Sequence, residues 1–238
     1  MDYNNVAAEY ARHRRVHPGV FRNLYERGQL GAGSRILEVG CGTGNYITAL
    51  QKTASCAAWG IDPSQGMLEQ AAAQGGAVTL AVGRAEELAF AAQQFDIVFS
   101  VDVIHHVQDR QPFFRHAYRV LKPGGRICTV TDSEWIIRHR VPLTAYFPET
   151  VEPELKRYPS TESLRQFMAV AGFAGVDEEL AEFPYELTSS QPFRDRAYSS
   201  LHLIPAEALE RGLARMEADL ARGSIPCVAR YALLWGSK

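Results

Sequence analysis

Five short apolar runs lie between residues 36 and 130, and each is followed by a turn and, for most, a stretch of helical periodicity. They cover 36–39, 57–61, 78–82, 95–100 and 126–130. Runs of this length cannot be helices that bury a face, whereas strands of about five residues are ordinary. Successive strands with helices between them have one natural solution, a parallel sheet with right-handed crossovers, so the chain is of the α/β class. Between the strands, Phe113, Phe114, Ala117, Tyr118, Val120 and Leu121 fall on one helical stripe, and Pro63-Ser64 opens a helix through Met67, Leu68 and Ala71. Before the first run, mixed helical spacing broken at His17-Pro18-Gly19 predicts two short helices.

Beyond Asp132 the alternation loosens. A helix over 161–171 is expected, with Thr161 as its cap and Gly172 as its stop, then a strand near 176–183. A helix over about 205–222 and a last strand over 227–235 follow. The 238 residues suffice for one α/β domain with a small cap.

The first strand runs into Glu38-Val39-Gly40-Cys41-Gly42-Thr43-Gly44, with the helix starting near Asn45 and Asp62 closing the second strand. Glycines at a strand-to-helix turn let a ligand approach the main chain, and the helix aims its first amides at it. A carboxylate at the next strand end accepts hydrogen bonds from the vicinal hydroxyls of a ribose. A glycine string alone says little; this one has the strand, the helix and the acid that a nucleoside site needs. The GxGxxG spacing of a hydride-transferring dinucleotide enzyme is absent, because the third glycine comes one residue early.

Composition narrows the partners. The formal net charge is -2, and the one basic cluster, Arg12-His13-Arg14-Arg15, is too short for a nucleic-acid groove. No apolar run approaches the ~20 residues of a bilayer span, and residues 1–5 are polar, so neither a membrane segment nor a signal peptide is expected. Cys41, Cys56, Cys128 and Cys227 form no CxxC pair, which fits buried free thiols in a reducing, cytoplasmic setting. The histidines lack metal-ligand spacing, so no metal is expected.

From Ser34 to Asp132 the chain resembles the class I S-adenosylmethionine-dependent methyltransferases, most closely the UbiE-like small-molecule group. The matching stations are Leu37 to Gly44, Gly60-Ile61-Asp62-Pro63-Ser64 to Met67-Leu68, Phe95 to Ser100 with His105-His106-Val107, and Leu121-Lys122-Pro123-Gly124-Gly125. The resemblance implies a Rossmann-like doubly wound sheet, mostly parallel with an antiparallel last strand, plus N-terminal helices and a small helical cap. It also implies one methyltransferase domain over 1–238, divided into a helical lid (1–30), a cofactor-binding half (31–132) and an acceptor-side half with cap insertions (133–238). S-adenosylmethionine would be the cofactor, S-adenosylhomocysteine its product, and a small molecule the acceptor. The alternative is a relative that binds the cofactor without turnover.

Carried over by position, Gly40, Gly42 and Gly44 line the methionine part of the cofactor and Glu38 orients that loop. Asp62 holds the ribose, Pro63 and Met67 flank the adenine, the Ala85 amide meets its edge, and Ser100 lies near the methionine end. Met67 serves equally as core. Tyr3 and Arg14 fold over the cofactor, the arginine pairing with its carboxylate. One departure stands out: the family's Gly-Asp-Ala reads Gly83-Arg84-Ala85, and an arginine cannot accept from the adenine amino group.

Methyl transfer needs alignment first and a base only when the acceptor must lose a proton. Candidate bases are His105, His106, His139 and His202, with His106 foremost because it follows the fourth strand. Residues 133–160 and 185–204 are expected to build the acceptor pocket. Trp135, Tyr146, Phe147, Tyr158, Tyr185 and Tyr198 would form its wall, with Arg138, Arg140, Arg194 or Arg196 for an acidic group. The same aromatics serve equally as the core of a cap.

Overall fold

The computed structural model describes residues 15–238, so Tyr3 and Arg14 lie outside the described residues. Seven strands, β1 (Arg35–Val39), β2 (Ala57–Asp62), β3 (Val78–Val82), β4 (Phe95–Val101), β5 (Leu121–Thr131), β6 (Ala174–Leu187) and β7 (Ile225–Ser237), make one sheet. Its order is β3-β2-β1-β4-β5-β7-β6. The first five strands are parallel, and β7 runs antiparallel to both β5 and β6. The expected Rossmann-like sheet with an antiparallel last strand is therefore present. The order reverses between β1 and β4, which puts the loops after these two strands side by side at the carboxyl edge.

Helices α1 (Pro18–Arg27), α2 (Asn45–Ala54) and α3 (Gln65–Ala73) precede β3, and α4 (Arg110–Val120) leads into β5. Then come α5 (Glu134–His139), α6 (Leu143–Tyr146), α7 (Val151–Arg157), α8 (Thr161–Ala171), α9 (Gln191–Arg194) and α10 (Ala206–Leu220). Each face of the sheet has its own core. Val20 and Leu24 of α1 meet Ile47 and Leu50 of α2 over Ile36, Phe99 and Leu233. On the other face Phe113 and Phe114 of α4 meet Leu164 and Met168 of α8 over Leu37, Val98 and Leu234. Each such side chain contributes about 1.5–3 kcal/mol on burial.

The cap has a third core of Leu143, Phe147, Phe193, Leu201, Leu209 and Met216, built from α6, α9 and α10. Its packing is tight: a Cβ on Gly212 would sit 2.3 Å from a ring carbon of Phe147. Among the described residues no helix is long and apolar enough to cross a membrane, and no three His, Cys, Asp or Glu side chains are grouped to hold a metal. All four cysteines are buried and unpaired in disulfides.

Three expectations need correction. Strand β5 begins at Leu121, not Arg126, because Leu121 pairs with Phe95 and residues 122–125 are taken up as an irregularity before Arg126 pairs with Ile97. Ser160, not Thr161, caps α8: its hydroxyl accepts from Ser163 N at 3.1 Å, while Thr161 already has helical geometry. Strand β6 runs over Ala174–Leu187, longer than the apolar stretch suggested, because β7 pairs with it along its whole length.

Candidate functional site

The turn from β1 to α2 is held from below by two carboxylates. Glu38 is buried in β1, and its Oε2 accepts from Ile47 N at 2.9 Å, fixing the first turn of α2 to the strand. Burial, with the Asp62 charge beside it, pushes the Glu38 carboxyl well above the ordinary carboxylate range. Asp62 spans two segments: its Oδ2 accepts from Gly42 N and its Oδ1 from Ser64 N, both at 2.9 Å. Burial raises this carboxyl too, opposed by the same two amides. The end of β2 thus fastens the glycine turn and the start of α3 together.

Two of the turn's glycines have separate reasons. Gly40 has φ +71°, and a Cβ there would lie 2.5 Å from a Val103 methyl, so the loops after β1 and β4 close only without a side chain. Gly42 has φ +51°, and the position of its missing Cβ has no atom within 4 Å. There the bare main chain faces open space. A hollow of about 70 Å³ lies over it, lined by Glu38, Gly40, Cys41, Gly42, Thr43, Asn45, Tyr46 and Val101, with Arg15, Asp102 and Tyr231.

A second cavity of about 400 Å³ begins where the first ends, and Arg15, Asp102 and Tyr231 line both. One part of its wall is polar. The Tyr158 hydroxyl donates to Asp102 Oδ1 at 3.0 Å, and Arg140 donates to Asp132 Oδ2 at 2.8 Å and to Glu154 Oε2 at 2.9 Å. Arg157 donates to the other oxygen of Glu154 and to Ser199 Oγ. Burial and the carboxylates of Asp102, Asp132 and Glu154 push the Tyr158 phenol well above its ordinary value. Pro142, Leu143, Phe183, Tyr185, Phe193 and Tyr198 add an apolar and aromatic part, and Arg15, His17, Ser200 and Arg230 also line the cavity.

The positions singled out from the sequence divide accordingly. Glu38, Gly40 and Gly42 line the first hollow, and Gly44 sits beneath it at the start of α2. Asp62 is bonded to that hollow's floor. Pro63 is exposed and Ala85 half-buried, whereas Met67 is 2% exposed and packs as core. Arg84 points outward, its Nε 3.8 Å from Glu86. Ser100 is buried on β4 and lines neither hollow.

Among the histidines, His106 is exposed, while His105 is buried, stacks on Tyr158 at 4.1 Å and has Nδ1 3.8 Å from Asp102. His139 stacks on exposed Trp135, and His202 is near Arg196 O on the surface. Of the aromatics proposed for the wall, Tyr158, Tyr185 and Tyr198 line the cavity. Phe147 is instead cap core and Tyr146 packs against it, with its hydroxyl donating to Asp219. Arg140 alone of the four arginines reaches the cavity; Arg194 pairs with Glu217 outside it.

Sequence reasoning missed Arg15, His17, Asp102, Asp132, Glu154 and Tyr231. His17 Nδ1 accepts from Val20 N, leaving Nε2 to donate to Ala229 O at 3.2 Å, and burial lowers its pKa. Asp102 and Asp132 follow the ends of β4 and β5, the edge where ligands of such sheets bind, and that position was the available signal.

Residues 37–129 match the family model described as a methyltransferase domain. Phosphoethanolamine N-methyltransferase 1 of Triticum aestivum is 32% identical over 110 residues, which are 44% of this chain and 22% of that protein. The 27-O-demethylrifamycin SV methyltransferase of Amycolatopsis mediterranei (strain S699) is 28% identical over 204 residues, covering 79% of this chain and 73% of that one. The chain spans only 22% and 39% of the length of the first two curated relatives it matches. A methyltransferase from an antibiotic biosynthesis pathway of Anabaena variabilis ATCC 29413 superposes with a TM-score of 0.71 at 22% identity, over 92% of this chain and 96% of that one. This last likeness shows the shared fold.

Proposed function

We propose, from the likeness of residues 37–129 to the methyltransferase-domain model, that the protein binds S-adenosylmethionine in the glycine hollow and transfers its methyl group to a small molecule in the adjoining cavity. The observation that carries this reading is the shared wall of Arg15, Asp102 and Tyr231, which makes the two hollows neighbours, as a transfer from one occupant to the other requires. The residues suit such a cofactor. The empty space at the Gly42 Cβ position lets an amino-acid tail lie against the main chain, and any side chain there would fill it.

Bound S-adenosylmethionine supplies a methyl group on a positively charged sulfur, open to in-line displacement. Gly40, Gly42 and Gly44 accommodate its amino-acid end, and Arg15, at the mouth of both hollows, pairs with the carboxylate in the role first expected of Arg14. Asp62 keeps the turn in shape through Gly42 and Ser64 and offers its remaining acceptor sites to the ribose. Pro63 and the Ala85 amide border the adenine, with Met67 supporting α3 from the core and Ser100 backing the end of β4. Since His106 is exposed, no base is assigned to it; alignment and the exclusion of water by the cap are the chain's main contribution. The half over 31–132 thus holds the donor, and that over 133–238 shapes the acceptor side.

Calorimetric titration tests the reading. Binding of both S-adenosylmethionine and S-adenosylhomocysteine is expected, followed by labelled-methyl transfer to a member of a small-molecule panel. No heat with either cofactor form would defeat it, and binding with no turnover on any acceptor would leave the cofactor-binding alternative.

A further inference from the structure

We infer that His17 is a positioning residue for the methyl donor: with its ring unprotonated at Nδ1, it fixes the segment that carries Arg15 at the edge of both hollows. The inference rests on the methyl-transfer reading above and deepens it, because it says how the partner of the donor's carboxylate is held. His17 ends the irregular stretch before α1 and caps that helix, and Arg15 is two residues earlier in the same stretch. The place of Arg15 therefore follows from where His17 is fastened.

It is fastened on three sides. Its main-chain N–H donates to the Tyr46 hydroxyl at 2.9 Å, and Tyr46, in the first turn of α2, lines the smaller hollow. Ring Nδ1 accepts from Val20 N at 3.1 Å, which caps α1. Ring Nε2 donates to Ala229 O at 3.2 Å, and Ala229, on β7, lines the larger cavity. One residue thus ties the helix that opens on the donor to the strand that walls the acceptor. The rings of Phe183 and Tyr231 stand edge-on to the imidazole at 5.9 and 5.5 Å and keep it buried.

The same bonds fix the ring's proton. A main-chain N–H can only donate and a carbonyl can only accept, so Nδ1 is bare and Nε2 carries the hydrogen. A second proton would set a donor against the Val20 N–H and break the cap. Burial opposes that proton as well and lowers the pKa of the ring. The titratable side chains around it are Tyr46 of α2 and Tyr231 of β7, with the Arg230–Glu182 pair on neighbouring residues of β6 and β7 and Arg15 in its own segment. Both of the ring's bonding partners are main chain, so no carboxylate holds it charged.

The test is a double-mutant cycle of Arg15→Ala and His17→Asn, read by calorimetry with S-adenosylhomocysteine and with 5′-methylthioadenosine, which keeps the nucleoside and lacks the amino-acid end. Asparagine is a strong helix cap but too short to reach Ala229 as well, so it separates capping from positioning. Arg15→Ala should weaken S-adenosylhomocysteine about tenfold and His17→Asn about fivefold, while methylthioadenosine changes by less than about twofold in either. The double variant should bind within about twofold of Arg15→Ala alone, because His17 acts through Arg15. Losses that multiply, equal losses for both ligands, or a His17→Asn protein that binds like the wild type would overturn the inference. Should the variant not fold, NMR of the ring nitrogens in the wild type decides. The Nε2–H tautomer is expected, and the ring's pKa should fall on saturation with S-adenosylhomocysteine, since binding and protonation compete. The other tautomer or an unmoved pKa would overturn the inference. Failure of S-adenosylhomocysteine to bind the wild type would sink the donor-site reading and the inference with it, whereas the other outcomes leave that reading standing.

Discussion

The two hollows meet at one wall, yet they are made of different material. The smaller is built on one local turn: Gly40 and Gly42 in its lining, a helix start, and two carboxylates that hold the turn from beneath. The larger is made of side chains brought from β4, β5, β6, β7 and the cap, and its shape depends on a buried set of ion pairs. A site built from local backbone tolerates change elsewhere in the fold. One built from distant side chains is only as firm as their pairing.

Substitutions can break or sharpen that contrast. The largest effect belongs to Arg140→Ala, which takes from buried Asp132 and Glu154 the guanidinium they share and should cost about 3–5 kcal/mol in urea unfolding. If the hollows are separable, S-adenosylhomocysteine affinity should stay within about twofold; a larger loss would show one site, not two. Asp62→Ala comes next. It removes the bonds to Gly42 and Ser64 and should weaken S-adenosylhomocysteine binding by about tenfold in calorimetry, and an unchanged dissociation constant would mean the nucleoside sits elsewhere.

Glu38→Gln should do something smaller and of opposite sign. Burial raises the folded-state pKa of Glu38, so as pH rises past the ordinary carboxylate range the folded protein retains a proton that the unfolded chain has lost, and stability falls. The glutamine, still able to accept from Ile47 N, should be more stable than the parent at neutral pH and lose that advantage in acid. Urea midpoints at the two pH values check it, and an equal midpoint difference at both would remove the carboxyl from the account. Smallest of all, Arg84→Ala should change stability by less than about 0.5 kcal/mol, since the side chain points to solvent; a clear loss of cofactor affinity would give Arg84 a place at the adenine edge.

The same contrast explains what could be read from the sequence. Strand alternation and the run from Glu38 to Gly44 are local, and they located the sheet and the turn that lines the smaller hollow. Met67 shows the limit of spacing alone: its helical interval fits both core and ligand contact, and burial to 2% decided for core. The larger cavity was legible only as a region. Arg140 and Glu154 are fourteen residues apart, and Asp102 meets Tyr158 across fifty-six, separations that no periodicity encodes. Trp135 and Tyr146 look like pocket aromatics in sequence, and only the packing of the cap sends one to the surface and the other against its own core.

The residues common to both hollows also set a thermodynamic rule. With Arg15, Asp102 and Tyr231 facing both occupants, whatever one molecule does to their arrangement is felt by the other. Any gain in acceptor affinity on adding the spent cofactor must then reappear, factor for factor, as a gain in spent-cofactor affinity on adding acceptor. Whether that shared factor is a gain or a loss, a titration of either molecule in the presence of the other reads the same number.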